Sequence, residues 1–232
     1  MILETKTLFL QNQMIKNLDI DPAFPNPLKA PKHGLLAFAG DLSAERLIEA
    51  YSSGIFPWFD ENDPILWHSP DPRFVLFPDK IKVSKTMRQI INRKVFEVRY
   101  DTAFEEVISA CADMRIEGTW ITDDMIDAYV NLHRLGFAHS VESWKDGKLA
   151  GGLYGVSIGK AFFGESMFSR ESNSSKFALI SLTRKLENED FLFIDSQVHT
   201  DHMESMGGEF IPRADYISML RKAVKTDHKW IS

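Results

Sequence analysis

The side chains best suited to chemistry stand near the ends of apolar runs. Asp195 and Gln197 occupy positions i and i+2 where the short run 191–196 gives way to a polar segment. Side chains two apart on a strand share a face, so a carboxylate and a carboxamide would point to the same side. A charge directly after Phe193 and Ile194 is costly unless it is hydrogen-bonded. An aspartate that caps the following loop would meet that need as well as one that works on a substrate. Glu165 poses the same choice. It closes the run Ala161-Phe-Phe-Gly-Glu, and Gly164 before it leaves room for another backbone or a ligand. Capping or a buried ion pair is the ordinary account. Two carboxylates ending strands of one sheet could instead converge on a cleft.

Other chemistries find less support. His199 and His202 are spaced to share a metal on a helix, with Asp201 between them. No third strong ligand stands at a recognisable spacing and no His-Glu-x-x-His pattern occurs, so a metal is not expected. Gly164-Glu-Ser-Met-Phe168 lacks the final glycine of a nucleophile elbow. With no Gly-x-x-x-x-Gly-Lys-[Ser/Thr] loop, ATP use is not expected, and a preactivated donor would suit. The single cysteine, Cys111, lies on the apolar face of an expected helix and reads as packing; it excludes an internal disulfide and a four-cysteine zinc site. Trp58 and Trp120 stand among polar and Pro-rich neighbours. Either ring could fill the core or stack on a nucleic-acid base.

Elements that could position these groups follow from turn and cap signals. Pro22, Pro25, Pro27 and Pro31 make the opening irregular. Ser43 is placed to cap a helix over 44–53, with Gly54 beyond its end. Pro57, Pro64, Pro70, Pro72 and Pro78 interrupt regular structure repeatedly, and a small N-terminal domain, 1–71, is expected to end there. Within 72–232 a helix is expected over 84–92. Thr102 and Glu105 suggest a capping box for the next helix, and Thr122 a cap for one ending at Gly136. Strands over 138–144 and 148–157 flank the hairpin signal Asp146-Gly147, and a third runs over 160–165. Residues 172–175 cap a helix carrying Leu179, Leu182 and Leu186; the strand 191–196 and a last helix opened by Pro212 complete the order. This is an α+β pattern with a mostly antiparallel sheet, compatible with an acetyltransferase-like sheet and with several others.

The 232 residues, 44% of them hydrophobic, can bury a core unaided. No run reaches the ~20 apolar residues that span a bilayer, and the first ten residues, with Glu4 among them, make a poor signal peptide. A cytoplasmic protein without membrane contact is expected. With no coiled-coil pattern, so is a monomer. The net charge of −6 hides an asymmetry: residues 79–99 carry seven basic side chains, Lys85 and Arg88 among them, against two carboxylates, whereas residues 1–71 carry ten carboxylates against five. The basic stretch could be a solvated helix face or a contact for a short piece of nucleic-acid backbone.

Three longer signatures, Gly-Ile-Phe-Pro-Trp-Phe at 54–59, Phe-Gly-Glu-Ser-Met-Phe-Ser at 163–169 and Phe-Ile-Asp-Ser-Gln-Val-His-Thr-Asp-His at 193–202, make the chain resemble the leucyl/phenylalanyl-tRNA–protein transferases from about residue 34 to 220. The resemblance implies a small N-terminal domain followed by a GNAT-like domain. It implies transfer of leucine, and less well phenylalanine or methionine, from aminoacyl-tRNA to the N-terminal Arg or Lys of acceptor proteins, marking them for N-end-rule degradation. Asp195 and Gln197 match the family's catalytic segment, with Glu165 beside them. Leu153, Met167, Leu179, Leu182, Leu186 and Ile194 match its aminoacyl pocket, where Leu153, Leu182 and Leu186 make this version more aliphatic. Trp58 and Trp120 match tryptophans that hold the terminal adenosine of the tRNA 3′ end, and Lys85 and Arg88 match the helix facing the acceptor stem. No cofactor is implied.

On that resemblance, Asp195, directly or through Gln197, would orient the acceptor amine and take its proton, while Glu165 pairs with the acceptor's cationic side chain or helps hold its amine. Two rivals stand beside it. An acetyl-CoA-dependent acyltransferase would need a pyrophosphate loop, yet 170–176 contains no glycine. A non-enzymatic RNA-binding module would use the basic helix and the tryptophans and leave Asp195 idle.

Overall fold

The computed structural model describes residues 15–60, 63–113, 121–227 and 230. In chain order the elements are β1 (Lys16–Asn17), β2 (Leu35–Phe38), α1 (Ala44–Ser52), β3 (Phe56–Pro57), β4 (Leu66–His68), β5 (Arg73–Leu76), α2 (Lys85–Asn92) and β6 (Glu97–Tyr100). Then come α3 (Phe104–Asp113), α4 (Asp123–Arg134), β7 (Ala138–Lys145), β8 (Lys148–Ile158) and β9 (Ala161–Ser169). The last are α5 (Ser174–Asn188), β10 (Phe193–Asp195), α6 (Asp201–Ser205), β11 (Glu209–Ile211) and α7 (Arg213–Ala223).

Local signals set most helix starts. The hydroxyls of Ser43, Ser84 and Thr122 accept hydrogen bonds from the backbone N–H of Arg46, Met87 and Met125, satisfying donors that a helix start leaves over. Two starts depart from the sequence expectation. Thr102 does not cap α3 through Glu105. Buried Glu142 of β7 does so, accepting from the N–H groups of Thr102 (2.9 Å) and Ala103 (3.0 Å), while the Thr102 hydroxyl donates to the same carboxylate. A full negative charge beside the positive end of the helix is stronger than a hydroxyl there. At α5 the N-cap Asn173 makes no side-chain cap bond, and Ser169 Oγ accepts from Ser175 N–H at 3.1 Å instead.

The strands form two sheets. A four-stranded sheet, ordered β1-β2-β4-β3, takes its strands from either side of the irregular stretch 22–31 and from among the prolines at 57–70. The larger sheet runs β11-β5-β10-β9-β8-β7-β6 and is antiparallel except between β9 and β10. Asp146 and Gly147, both at positive φ, turn β7 into β8 as their sequence suggests. The parallel step demands a crossover, and α5 supplies it, lying over β7, β8 and β9. This is the expected α+β arrangement with a mostly antiparallel sheet, with a small N-terminal sheet attached.

The large sheet separates two apolar layers. One gathers Leu47 and Tyr51 of α1, Val107 of α3, Tyr129 of α4, Phe163 of β9 and Tyr216 of α7, together with Trp67 of the small sheet. The other gathers Phe162, Leu179, Leu182, Leu186, Ile194 and Met203. The segment 30–71 and α7 are tied together by Arg213, the first residue of that helix. Its guanidinium donates to the carbonyls of Ala30, Pro31 and Ser69 at 2.5–3.1 Å, and its N–H donates to Asp71 Oδ1.

Candidate active site

Strand periodicity alone would not aim Glu165 where it points. Phe163 and Phe168 lie in the same layer although they are five residues apart, and so do Phe162 and Met167 in the other. Alternation with period two forbids this unless one residue is extra. The register between β8 and β9 shows where: Gly155 faces Gly164, Tyr154 faces Ser166, and Glu165 is the unpaired residue of a β-bulge. Gly155 permits the tight step, since a Cβ there would lie 2.1 Å from the Phe163 carbonyl oxygen. Bulges re-aim side chains in this way next to sites.

Glu165 therefore turns toward two helices. Tyr51 Oη of α1 donates to its Oε1 at 2.8 Å, Tyr129 Oη of α4 donates to its Oε2 at 3.2 Å, and the two phenol oxygens are hydrogen-bonded to each other. Gln197 Nε2 donates to Oε1 at 3.1 Å. Burial dominates the electrostatics and pushes the Glu165 carboxyl up to about 7, against the pull of the two tyrosine hydroxyls. Burial likewise raises both tyrosines well above the usual phenol range, with the Glu165 charge adding to it.

That elevation fixes a stability trend. A carboxyl that ionises near 4.5 when unfolded but near 7 when folded is held protonated by the native state, so stability falls as pH rises through that interval. Glu165→Gln, always neutral, is expected to stabilise the fold by on the order of 2 kcal/mol at pH 8 and by little at pH 4. Urea unfolding at the two pH values checks it, and an equal gain at both would contradict the assignment.

Asp195 is built differently. Both oxygens are engaged: Arg73 Nε and Nη2 donate at 2.8 and 2.7 Å, Tyr216 Oη at 2.7 Å, and the Gln197 N–H at 3.0 Å. Arg73 is sandwiched 4.6 Å from the ring centres of Phe56 and Tyr216, and both members of the ion pair are fully buried. Burial disfavours the Arg73 charge, but Asp195 outweighs it and holds the guanidinium above its ordinary range. The bond from Gln197 N–H fixes that residue at φ +55, a left-handed conformation that only a surrounding structure sustains in a non-glycine residue. The side-chain amide thereby faces Glu165.

A cavity of about 530 Å³ opens beside this cluster. Leu153, Met167, Leu179, Leu182 and Ile194 form its apolar part, Glu165 and Gln197 its polar wall, and Trp58, 45% exposed, its rim. The volume suits a small ligand group whose apolar side chain is enclosed and whose polar end meets a carboxyl and an amide.

The sequence-selected residues thus divide. Glu165, Gln197, Trp58 and five of the six apolar positions line one cavity. Leu186, one helical turn past Leu182, does not; it is fully enclosed in the apolar layer below. Asp195 stands behind the wall rather than in it. Lys85 and Arg88 are exposed on α2, away from the cavity lining, and Trp120 lies outside the described residues. The sequence reading passed over Arg73, Tyr51, Tyr129 and Tyr216 as site residues. The signal was available in part: a tyrosine on the buried face of a helix needs a partner for its hydroxyl. Among the described residues, two side-chain groups could share a cation, Asp101 with His133 and His139, and His199 with Asp201 and Glu204. In the first, His139 Nδ1 already contacts Asp101 and His133 Nδ1 the Ala138 carbonyl; in the second, His199 already pairs with Glu204.

The family models and the named relatives agree with one another. The family model described as leucyl/phenylalanyl-tRNA protein transferase matches residues 75–221, and that of its N-terminal domain matches residues 40–71. Among relatives bearing the name leucyl/phenylalanyl-tRNA–protein transferase, the Syntrophus aciditrophicus protein is 55% identical, over 87% of this chain and 86% of its own. The Myxococcus xanthus protein is 52% identical over 87% and 88%, and that of Nitrosospira multiformis 52% identical over 94% and 97%. Among solved structures, an aminoglycoside N-acetyltransferase in complex with CoA overlays with a TM-score of 0.33 at 10% identity, over 59% of this chain and 91% of that one.

Proposed function

The chain belongs to the leucyl/phenylalanyl-tRNA protein transferase family, and from that premise we propose that it transfers leucine, and less readily phenylalanine or methionine, from aminoacyl-tRNA to the N-terminal Arg or Lys of acceptor proteins. In this reading the product is a protein marked for N-end-rule degradation in the cytoplasm, and the enzyme acts as a monomer. Residues 72–232 carry the transfer and residues 1–71 form a small domain that helps present the tRNA end.

The observation that carries the reading is the cavity, in which an apolar recess ends at a carboxyl and an amide. The leucine side chain enters between Leu153, Met167, Leu179, Leu182 and Ile194, placing its ester carbonyl near Gln197. The terminal adenosine stacks on Trp58 at the rim, a contact worth roughly 1–3 kcal/mol. The reaction needs no energy source beyond the ester, since aminolysis of an activated acyl group is downhill, and holding amine and ester together supplies much of the acceleration. Gln197 Oε1, to which no donor is assigned among the described residues, is free to accept from the attacking amine. Asp195 acts on it from behind, by holding its backbone.

The deciding experiment is transfer of radiolabelled leucine from Leu-tRNA, without ATP, to a protein with N-terminal arginine and to the same protein with N-terminal alanine. Label on the arginine protein alone is the expected result. No label on either, with tRNA binding intact, would leave an RNA-binding module instead. Lys85 and Arg88, exposed on α2, are assigned to the acceptor-stem backbone. Replacing both with alanine is expected to weaken tRNA binding and to flatten the log–log salt dependence by about 1–2, measured by filter binding between 50 and 200 mM salt.

A further inference from the structure

We propose that Glu165, rather than Asp195, is the group that takes the proton from the acceptor's α-ammonium, and that the hydroxyls of Tyr51 and Tyr129 are positioning residues that keep its carboxylate ready for it. The inference rests on the transferase reading above and concerns how that site makes its nucleophile.

Access comes first. Both oxygens of Asp195 are spent on four donors inside the protein, and the residue contributes nothing to the cavity surface. To reach an amine it would have to abandon a fully buried ion pair. Glu165 lines the cavity and stands 3.1 Å from the amide of Gln197. An amine held by that amide's carbonyl is therefore beside the Glu165 carboxylate.

Proton counting gives the second argument. Glu165, Tyr51 and Tyr129 form a closed ring with three oxygen–oxygen contacts. With the carboxylate ionised the ring holds two protons, one on each phenol, and each phenol donates to Glu165. With the carboxyl protonated it holds three, one for each contact. Gaining a proton therefore completes the ring without moving a side chain, which is what a preorganised base requires. The charged and titratable groups around it are Tyr51 from α1, Tyr129 from α4, Asp195 from β10 and Arg73 from β5, with Tyr154 of β8 against Tyr129. Tyr51, Tyr129, Asp195 and Arg73 do not line the cavity, and Tyr154 does so with a phenol rather than a carboxylate; a carboxyl ionising near 7 is matched to an α-amine of about 7.7–8.0.

The step balances as follows. The α-ammonium gives one proton to the Glu165 carboxylate, and the neutral amine attacks the ester carbonyl carbon. As the C–N bond forms and the C–O bond to the 3′ oxygen breaks, a second proton leaves nitrogen for that oxygen, giving the amide and a free 3′ hydroxyl. Glu165 then returns its proton to solvent.

The test is single-turnover leucine transfer from Leu-tRNA to a peptide with N-terminal arginine and to its citrulline isostere, from pH 5.5 to 9. The proteins compared are the wild type, Glu165→Gln, Tyr51→Phe and Tyr129→Phe. For the wild type the rate at saturating peptide should rise with pH to a plateau with a midpoint near 7. Glu165→Gln should lower that rate by about 10²–10⁴-fold, with KM for the arginine peptide changed less than threefold and the plateau abolished. Each Tyr→Phe change removes a donor to the carboxylate, so the midpoint should move to higher pH, a shift that loss of packing alone would not produce. A Glu165→Gln protein with wild-type maximal rate, whose only defect is a raised KM and lost preference for arginine over citrulline, would overturn the proposal and make Glu165 a cation-binding group. Failure of the wild type to transfer leucine at all would instead remove the transferase reading beneath it.

Discussion

Replacing Arg73 with alanine is expected to cost about 3–5 kcal/mol of stability, because it leaves the Asp195 carboxylate charged and enclosed with no cation. The pair is fully buried and bidentate, and the guanidinium also fills the space between the rings of Phe56 and Tyr216. Two losses therefore coincide, one electrostatic and one of packing. The double replacement Arg73→Ala with Asp195→Ala should be less damaging than the sum of the singles, because no charge is then stranded. Urea unfolding of the three variants at pH 7 checks this. A cost below 1 kcal/mol for the single change would mean that water reaches the pair. The variants that lack Asp195 and remain folded should transfer leucine poorly, since Gln197 then loses the anchor that sustains its left-handed backbone.

The second large effect concerns space rather than charge. Gly164 lines the cavity, and a Cβ built on it would meet Ile194 Cγ2 at 3.7 Å and the Asp195 carbonyl oxygen at 3.8 Å, both ordinary contacts. Leucine at this position is therefore accommodated at its base while its branched end occupies room that the substrate side chain needs. Gly164→Leu should fold within about 1 kcal/mol of the parent and lose leucine transfer by about 100-fold or more, the scale set by misplacing a reacting group. Alanine at the same position, with only the first atom added, should lose far less. Equal activity of the leucine variant would mean that the aminoacyl group binds elsewhere.

Much of the scaffold was legible because its signals are local. Ser43, Ser84 and Thr122 cap helices through bonds spanning three residues, and Asp146-Gly147 closes a hairpin on itself. The features that escaped depend on partners far away. The strands of the small sheet are two to four residues long, lie among prolines, and become strands only by pairing with one another. Glu142 caps α3 from some forty residues beyond it, so Thr102 and Glu105 offered a nearer but unused solution. The candidate site shows the same division. Asp195, Gln197 and Glu165 stood out as polar groups in apolar surroundings. What distinguishes them, an arginine 122 positions from Asp195 and a tyrosine 114 positions from Glu165, has no trace in the local pattern. The bulge that turns Glu165 toward the tyrosines is equally silent, since it exists only as a register between two strands.

The grip of Arg213 on the carbonyls of Ala30, Pro31 and Ser69 bears on how the protein is made. A ribosome delivers the chain from its N-terminus, and many proteins finish their early segments while later ones are still being synthesised. Here part of the segment 30–69 depends on a late element. Trp67, Tyr51 and Leu47 are buried against a layer that includes Tyr216, Ile217 and Leu220, and the loop carbonyls at Ala30 and Ser69 find their donor in α7. Until that helix leaves the exit tunnel, the early segment exposes an unfinished apolar face. A nascent chain stalled short of residue 213 would be a client for chaperones, whereas one that includes α7 can close it over the early segment.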